Sequence, residues 1–450
     1  MRFQTVHTPT SLTEGPISQA LISFALPLLL GNLFQQLYNT ADSLIVGNFL
    51  GSEALAAVSS SGNLIFLMVG LVNGVSMGAG VVIARYFGAK DYDRIQKTIH
   101  TLLAFGLVAG ALLTVVGVAL SPVMLRLMDT PETVLPDSIS YFRTYFTGSL
   151  AFVLYNICMG ILQAVGDSRH PLQYLIISSL VNVVLDLLFV GVFHMGVWSA
   201  AAATAISQLV SMALCLLRLM RSERAYRVSL RKIRFDRRAL LEILQNGLPA
   251  GLQNSIISIG NVVVQSNINQ FGAAAMAGCG AHSRIEGFGF LPVTCFTMAL
   301  TTFVSQNLGA KAYDRVKKGI RVGIFCSVTI AETVALLIFI FSPKLIGLFT
   351  GDAESIAFGV MHERTTTPFF FCMAAIFRGA GKSTVPMLVM MLCWCIIRVI
   401  YVTVAVKFFP VLQTVSWAYP ITWGLSTLVF TLYYFKADWM HAFERREKHA

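Results

Sequence analysis

Four polar side chains inside otherwise apolar stretches carry the chemistry that this sequence can do. Asp42 follows Gln35, Tyr38 and Asn39 in the first apolar run. A carboxylate at the centre of a bilayer costs roughly 2.5–3.5 kcal/mol, so it needs a proton, a cation or a donor. Asn182 and Asp186 lie four positions apart in a later run, hence on one helix face, and Thr204 lies in the run after it. Carboxylate, amide and hydroxyl oxygens are ligands for a hard cation such as Na+, and they serve equally as a proton-accepting network. The same four side chains could instead make a structural hydrogen-bond cluster joining three helices. Gln35, Tyr38, Asn39, Asn156, Arg284 and Glu286 are further polar residues within apolar runs and are candidates to line a substrate cavity. Glu286, Glu332, Arg284 and Arg398 are also candidates for ion pairing inside a helix bundle.

The elements that must position these residues are membrane helices. The 450 residues are 56% hydrophobic and only 12% charged, against about 25% charged in ordinary soluble proteins, too few charges to clothe a soluble surface. The net charge of +11 does not imply a nucleic-acid partner, because the basic residues sit in short gaps between apolar runs rather than on a polar domain. About 20 helical residues cross a bilayer core. On that measure there are twelve spans: 17–46, 54–84, 96–120, 138–164, 170–191, 195–218, 239–268, 274–304, 318–341, 355–378, 384–407 and 411–436. They form an all-α polytopic membrane protein with both termini cytoplasmic. That orientation places 26 of the 33 Lys and Arg residues on the inner side and three outside. The expected organisation is an N-terminal segment (1–16), a first six-helix lobe (17–218), a basic linker (219–238), a second lobe (239–436) and a tail (437–450).

The two halves repeat. Arg85–Arg94 matches Gln306–Arg315 around a shared Gly-Ala-Lys, Leu26-Pro27 matches Leu248-Pro249, and Gly166–Pro171 matches Gly381–Pro386. The offset drops from 221 to 215 at the last pair, so the tenth span is six residues short. Either Met361–Thr367, with His362, Glu363 and Arg364, is drawn into the membrane, or that helix is broken. Parallel six-helix repeats suit a central cleft that opens alternately to either side.

In combination, Gln36–Gly51, the paired Gly-Ala-Lys loops, Asn182–Asp186, Gly196–Thr204 and Arg378–Pro386 resemble the multidrug and toxic compound extrusion (MATE) transporters, in particular the bacterial DinF/MepA-like branch. The resemblance runs from about Pro16 to Lys436. It implies twelve transmembrane helices in two pseudo-symmetric bundles and export of small amphipathic or cationic drugs in exchange for Na+ or H+. It also implies an Asp42, Asn182, Asp186 and Thr204 cluster as the coupling site. The stretch Gln253–Ile257 lacks the seventh-span acid of another bacterial pattern, which points to the N-terminal lobe for the main cation site. A monomer among the lipids of a bacterial inner membrane is expected, with no cofactor and no metal beyond Na+. A lipid-linked precursor flippase is the alternative transporter, though fourteen spans and a cationic cavity would suit it better. A membrane receptor would not need the repeat. An enzyme would need a nucleophile–base arrangement, and none is present. Gly379–Thr384 resembles the end of a phosphate-binding loop but lacks its first glycine and a preceding strand.

Overall fold

The computed structural model describes residues 12–127, 132–366 and 373–441. Helices occupy all twelve apolar intervals, and no strand occurs among the described residues. In chain order they are α1 (Ile17–Leu50), α2 (Ser52–Gly88), α3 (Tyr92–Leu127), α4 (Leu135–Thr147), α5 (Ser149–Ala164), α6 (Arg169–Asp186), α7 (Trp198–Met220) and α8 (Arg237–Asn269). There follow α9 (Ala273–Gly309), α10 (Tyr313–Gly347), α11 (Ala353–Thr366), α12 (Ala374–Gly379), α13 (Thr384–Met390), α14 (Arg398–Phe408) and α15 (Leu412–Lys436). Among the described residues, seven helical spans are long and apolar enough to cross a bilayer on their own. The pair α4 and α5, bent by 47°, makes an eighth. Two of the remaining spans, α8 and α15, are less apolar for a physical reason. α8 carries Glu242 and a run of Asn and Gln, and α15 is rich in Tyr, Trp and Thr. Such residues depress mean hydropathy but suit helix contacts and membrane interfaces.

The repeat is written in the backbone. Gly51 and Gly272 take positive φ (91° and 94°) ahead of α2 and α9. Lys90 and Lys311 are left-handed (56° and 57°) after them, and Asp91 N–H and Ala312 N–H close the same type of helix-ending bond, to Tyr86 O and Asn307 O. In the tenth span α11 continues through Thr366, with His362 and Glu363 buried, so those polar residues are built into the bundle. The following residues, 367–372, lie outside the described residues.

The chain divides into two compact units. One is Leu26–Gly251; the other is Leu12–Ala25 together with the chain from Leu252 onward. The divisions fall inside α1 and α8, beside Pro27 and Pro249, where a missing N–H interrupts the helix ladder. In the first unit α2 and α8 cross through paired glycines. A Cβ on Gly74 or Gly78 would fall on the backbone of Gly251 or Gly247, so only glycine allows this approach.

Polar side chains clamp the segments that enter α8 and α1. In the first unit Gln96 Nε2 donates to the carbonyls of Ala225 and Arg227, the latter at 3.0 Å, and Ser229 N–H donates to His100 Nε2 at 3.1 Å. Asp236 N–H donates to Thr101 Oγ1 at 3.0 Å, and Tyr226 and Val228 are buried in the core. The basic linker is therefore docked on α3. In the second unit, Arg315 donates to the carbonyls of Glu14 and Gly15 at 2.8 Å, while Gln306 accepts from Leu12 N–H. Two bonds of about 1 kcal/mol each hold the linker through Gln96. Gln96→Ala is thus expected to speed limited trypsin cleavage between Arg224 and Arg234 by about tenfold, read by mass spectrometry.

The turn between α5 and α6 is held by an acid. Asp167 accepts from His170 Nδ1 at 2.6 Å and from His170 N–H at 3.2 Å. Burial alone would raise this carboxyl, but the His170 bonds and charge, with Arg218 nearby, hold it below the usual carboxylate range. A depressed folded-state value contributes stability above the unfolded value of about 4 and loses it as pH falls through the folded one. Asp167→Asn should therefore cost about 1–2 kcal/mol at pH 7, with the deficit shrinking toward about pH 3 in thermal unfolding.

Candidate functional site

Three of the four candidate coupling residues meet or lie close together in the first unit. Asp42 belongs to α1. Asn182 and Asp186 lie on one face of α6, and both are buried, Asp186 completely. Directly after Asp186 the helix widens into a π-helical stretch, Leu187–Val192, a local change of winding that often marks functional positions. The carboxyl groups of Asp42 and Asp186 lie close enough to act on each other electrostatically. Yet Asp42 Oδ1, both Asp186 carboxylate oxygens and both polar atoms of the Asn182 amide lack a hydrogen-bond partner among the described residues.

That arrangement has a definite chemistry. Two carboxylates are acceptors only, so they can bond to each other only through a shared proton or a cation. In a low-dielectric interior two such charges at close range repel strongly, and one added positive charge removes the conflict.

Two tyrosines, Tyr38 and Tyr141, lie beside the acid pair, with Tyr145 and Tyr155 beyond them. Tyr38 is hydrogen-bonded to Gln35 and lies within electrostatic reach of Asp42. Tyr141 of α4, buried, lies within reach of Asp42, Asp186 and Tyr38 and stacks on Tyr145 with centroids 6.5 Å apart. Tyr145 and Tyr155 both lie within electrostatic reach of Tyr38. Sequence reasoning missed Tyr141, Tyr145 and Tyr155. The i,i+4 spacing of the first two, which puts them on one face of the fourth span, was the available signal. Phenol rings beside buried acids offer an organic cation both charge and π-faces.

The remaining candidates are placed less centrally. Thr204 is half-buried and donates to Ala200 O at 3.1 Å, with no bond to Asp42, Asn182 or Asp186 among the described residues. Its hydroxyl oxygen keeps acceptor capacity. Asn156 donates to Phe152 O in its own helix at 2.8 Å, and its backbone carbonyl accepts from Ser76 Oγ. Asn39 is exposed on α1. Arg284 is exposed on α9, whereas Glu286 is half-buried in the second unit beside His282.

A sequence model of the MatE family matches residues 27–188 and 249–404. The "Probable multidrug resistance protein YoeA" of Bacillus subtilis (strain 168) is 30% identical over 351 residues, covering 76% of each chain. The "Multidrug export protein MepA" of Staphylococcus saprophyticus is 24% identical over 355 residues, covering 78% of each. Among solved structures, a MOP superfamily transporter from Pyrococcus furiosus superposes with a TM-score of 0.88 at 24% identity, covering 96% of this chain and 97% of that one.

Proposed function

The chain belongs to the MATE family of multi-pass membrane transporters, and from that premise we propose that it is a secondary antiporter exporting amphipathic and cationic drugs in exchange for Na+ or H+. It is a transporter rather than an enzyme. The observation that carries the reading is the closeness of Asp42 and Asp186, whose buried oxygens have no donor among the described residues. The multidrug names of the relatives support the substrate class.

The coupling site comprises Asp42, Asn182, Asp186 and Thr204. In the outward-open state H+ or Na+ enters the acid pair and neutralises it. A cationic drug held over Tyr38, Tyr141 and Tyr145 then loses its counter-charge and leaves. The two repeats rock to the inward-open state, the cation departs into the cytoplasm, and the restored negative charge recruits the next drug. Each inward charge supplies about 2.3 kcal/mol per 100 mV, in addition to its concentration gradient. The protein works as a monomer in the bacterial inner membrane with both termini cytoplasmic.

Equilibrium binding to purified protein tests the exchange. A fluorescent cationic dye should bind more weakly as either pH falls or Na+ rises, with one of the two dominant. Binding indifferent to both would reject the reading.

A further inference from the structure

The second unit buries a charged cluster that the acid pair of the first does not use. His282 on α9 is 2% exposed and lies between two carboxyl groups. Its Nδ1 contacts Glu363 Oε2 of α11, and its Nε2 is 3.7 Å from Glu286 Oε2, one turn along α9. The His362 ring meets it edge-on at 4.7 Å, and His362 Nδ1 lies 2.6 Å from Ser416 Oγ of α15. Arg398, buried at the start of α14 and directly after the second π-helical stretch (Met391–Ile397), acts on Glu286. It donates to Thr422 Oγ1 at 2.9 and 3.1 Å and lies over the rings of Tyr419 and Trp394. α10, packed along α9, brings Glu332 as its one acid between Arg321 and Lys344.

The charges of this cluster count to a simple result. Glu286 and Glu363 give two negative charges and Arg398 one positive, so a single proton makes the group neutral and a second would charge it again. Burying net charge inside a membrane bundle is costly, so the one-proton state is the neutral resting form. Sodium would want oxygen ligands on all sides, whereas two imidazoles and a guanidinium fill these surroundings. Nor do any three His, Cys, Asp or Glu side chains among the described residues form a group able to hold a metal ion.

We propose that His282 and Glu363, with Glu286, His362 and Arg398 around them, form a second cation-exchange site that takes a single proton and discriminates against Na+. His362 and Ser416 connect it to α15. Only the role of this site in turnover rests on the antiporter reading; the proton binding itself does not.

The reporters are built in, since Trp394 lies under Arg398 and Trp423 packs against Tyr419 with centroids 5.6 Å apart. Tryptophan emission of the full chain in nanodiscs, titrated from about pH 5 to 9, should show one single-proton transition that is unmoved by Na+. Its amplitude should fall at least fivefold in both His282→Gln and Glu363→Gln and persist in Asp42→Asn. Nitrogen NMR of histidine-labelled wild-type protein gives the same answer without any substitution: one buried imidazole should titrate with the emission change. A transition that survives in both variants, one that Na+ displaces, or a wild type in which no histidine follows the emission would overturn the proposal. Asp42→Asn that keeps full efflux would sink the exchange mechanism at the acid pair yet leave this titration untouched, so the two readings fail separately.

Discussion

Asp42→Asn is expected to cut gradient-driven efflux of a cationic dye by about 100-fold or more in everted vesicles, with protein level and elution profile unchanged. The reason is what the pair can no longer do. Asn is nearly the same size and tolerates the same helix, but it cannot trade a proton or a sodium ion for a drug. A hundredfold effect corresponds to about 2.8 kcal/mol of lost coupling, well within what one buried charge supplies. Asp186→Asn should behave alike, because either substitution leaves a lone carboxylate where two had shared one positive charge. Thr204→Ala should cost only a few-fold, since its hydroxyl already bonds to Ala200. Efflux by Asp42→Asn at the wild-type rate would remove the acid pair from the mechanism.

Gly78→Val should yield almost no monodisperse protein from detergent. A Cβ on Gly78 would overlap Gly247 N and Cα, and backbone cannot move aside as a flexible side chain can. Overpacking an ordinary core costs about 1–3 kcal/mol; here two helix backbones would have to separate along a stretch that also includes Gly74 against Gly251. Gly70 serves as the control on the same helix. A Cβ there would meet nothing within 4 Å, and Gly70→Ala should express normally. Equal recovery of Gly78→Val and wild type by fluorescence-detected size exclusion would contradict the crossing.

Much of this was legible in the sequence because a membrane imposes one-dimensional rules. Span length, basic asymmetry and the scarcity of buried charge located the helices and singled out Asp42 and Asp186. The repeat anchors survive as matched backbone turns at Lys90 and Lys311. What the sequence hid depends on contacts between distant residues. Tyr141 and Tyr145 read as ordinary span aromatics until α4 brings them to the acids and to Tyr38. His282 and Glu363 are 81 positions apart and carry no shared pattern, so only packing of α9 on α11 brings them together. Likewise the divisions within α1 and α8 follow tertiary contacts, whereas the sequence suggests boundaries at helix ends.

In the proposed mechanism an inward cation gradient, received by Asp42 and Asp186, drives drug export. Dye uptake into everted vesicles, with the proton and sodium gradients imposed separately and no ATP present, tests it most directly. Accumulation is expected under at least one gradient, with collapse when that gradient is dissipated. Accumulation that persists undiminished with both gradients dissipated would contradict it.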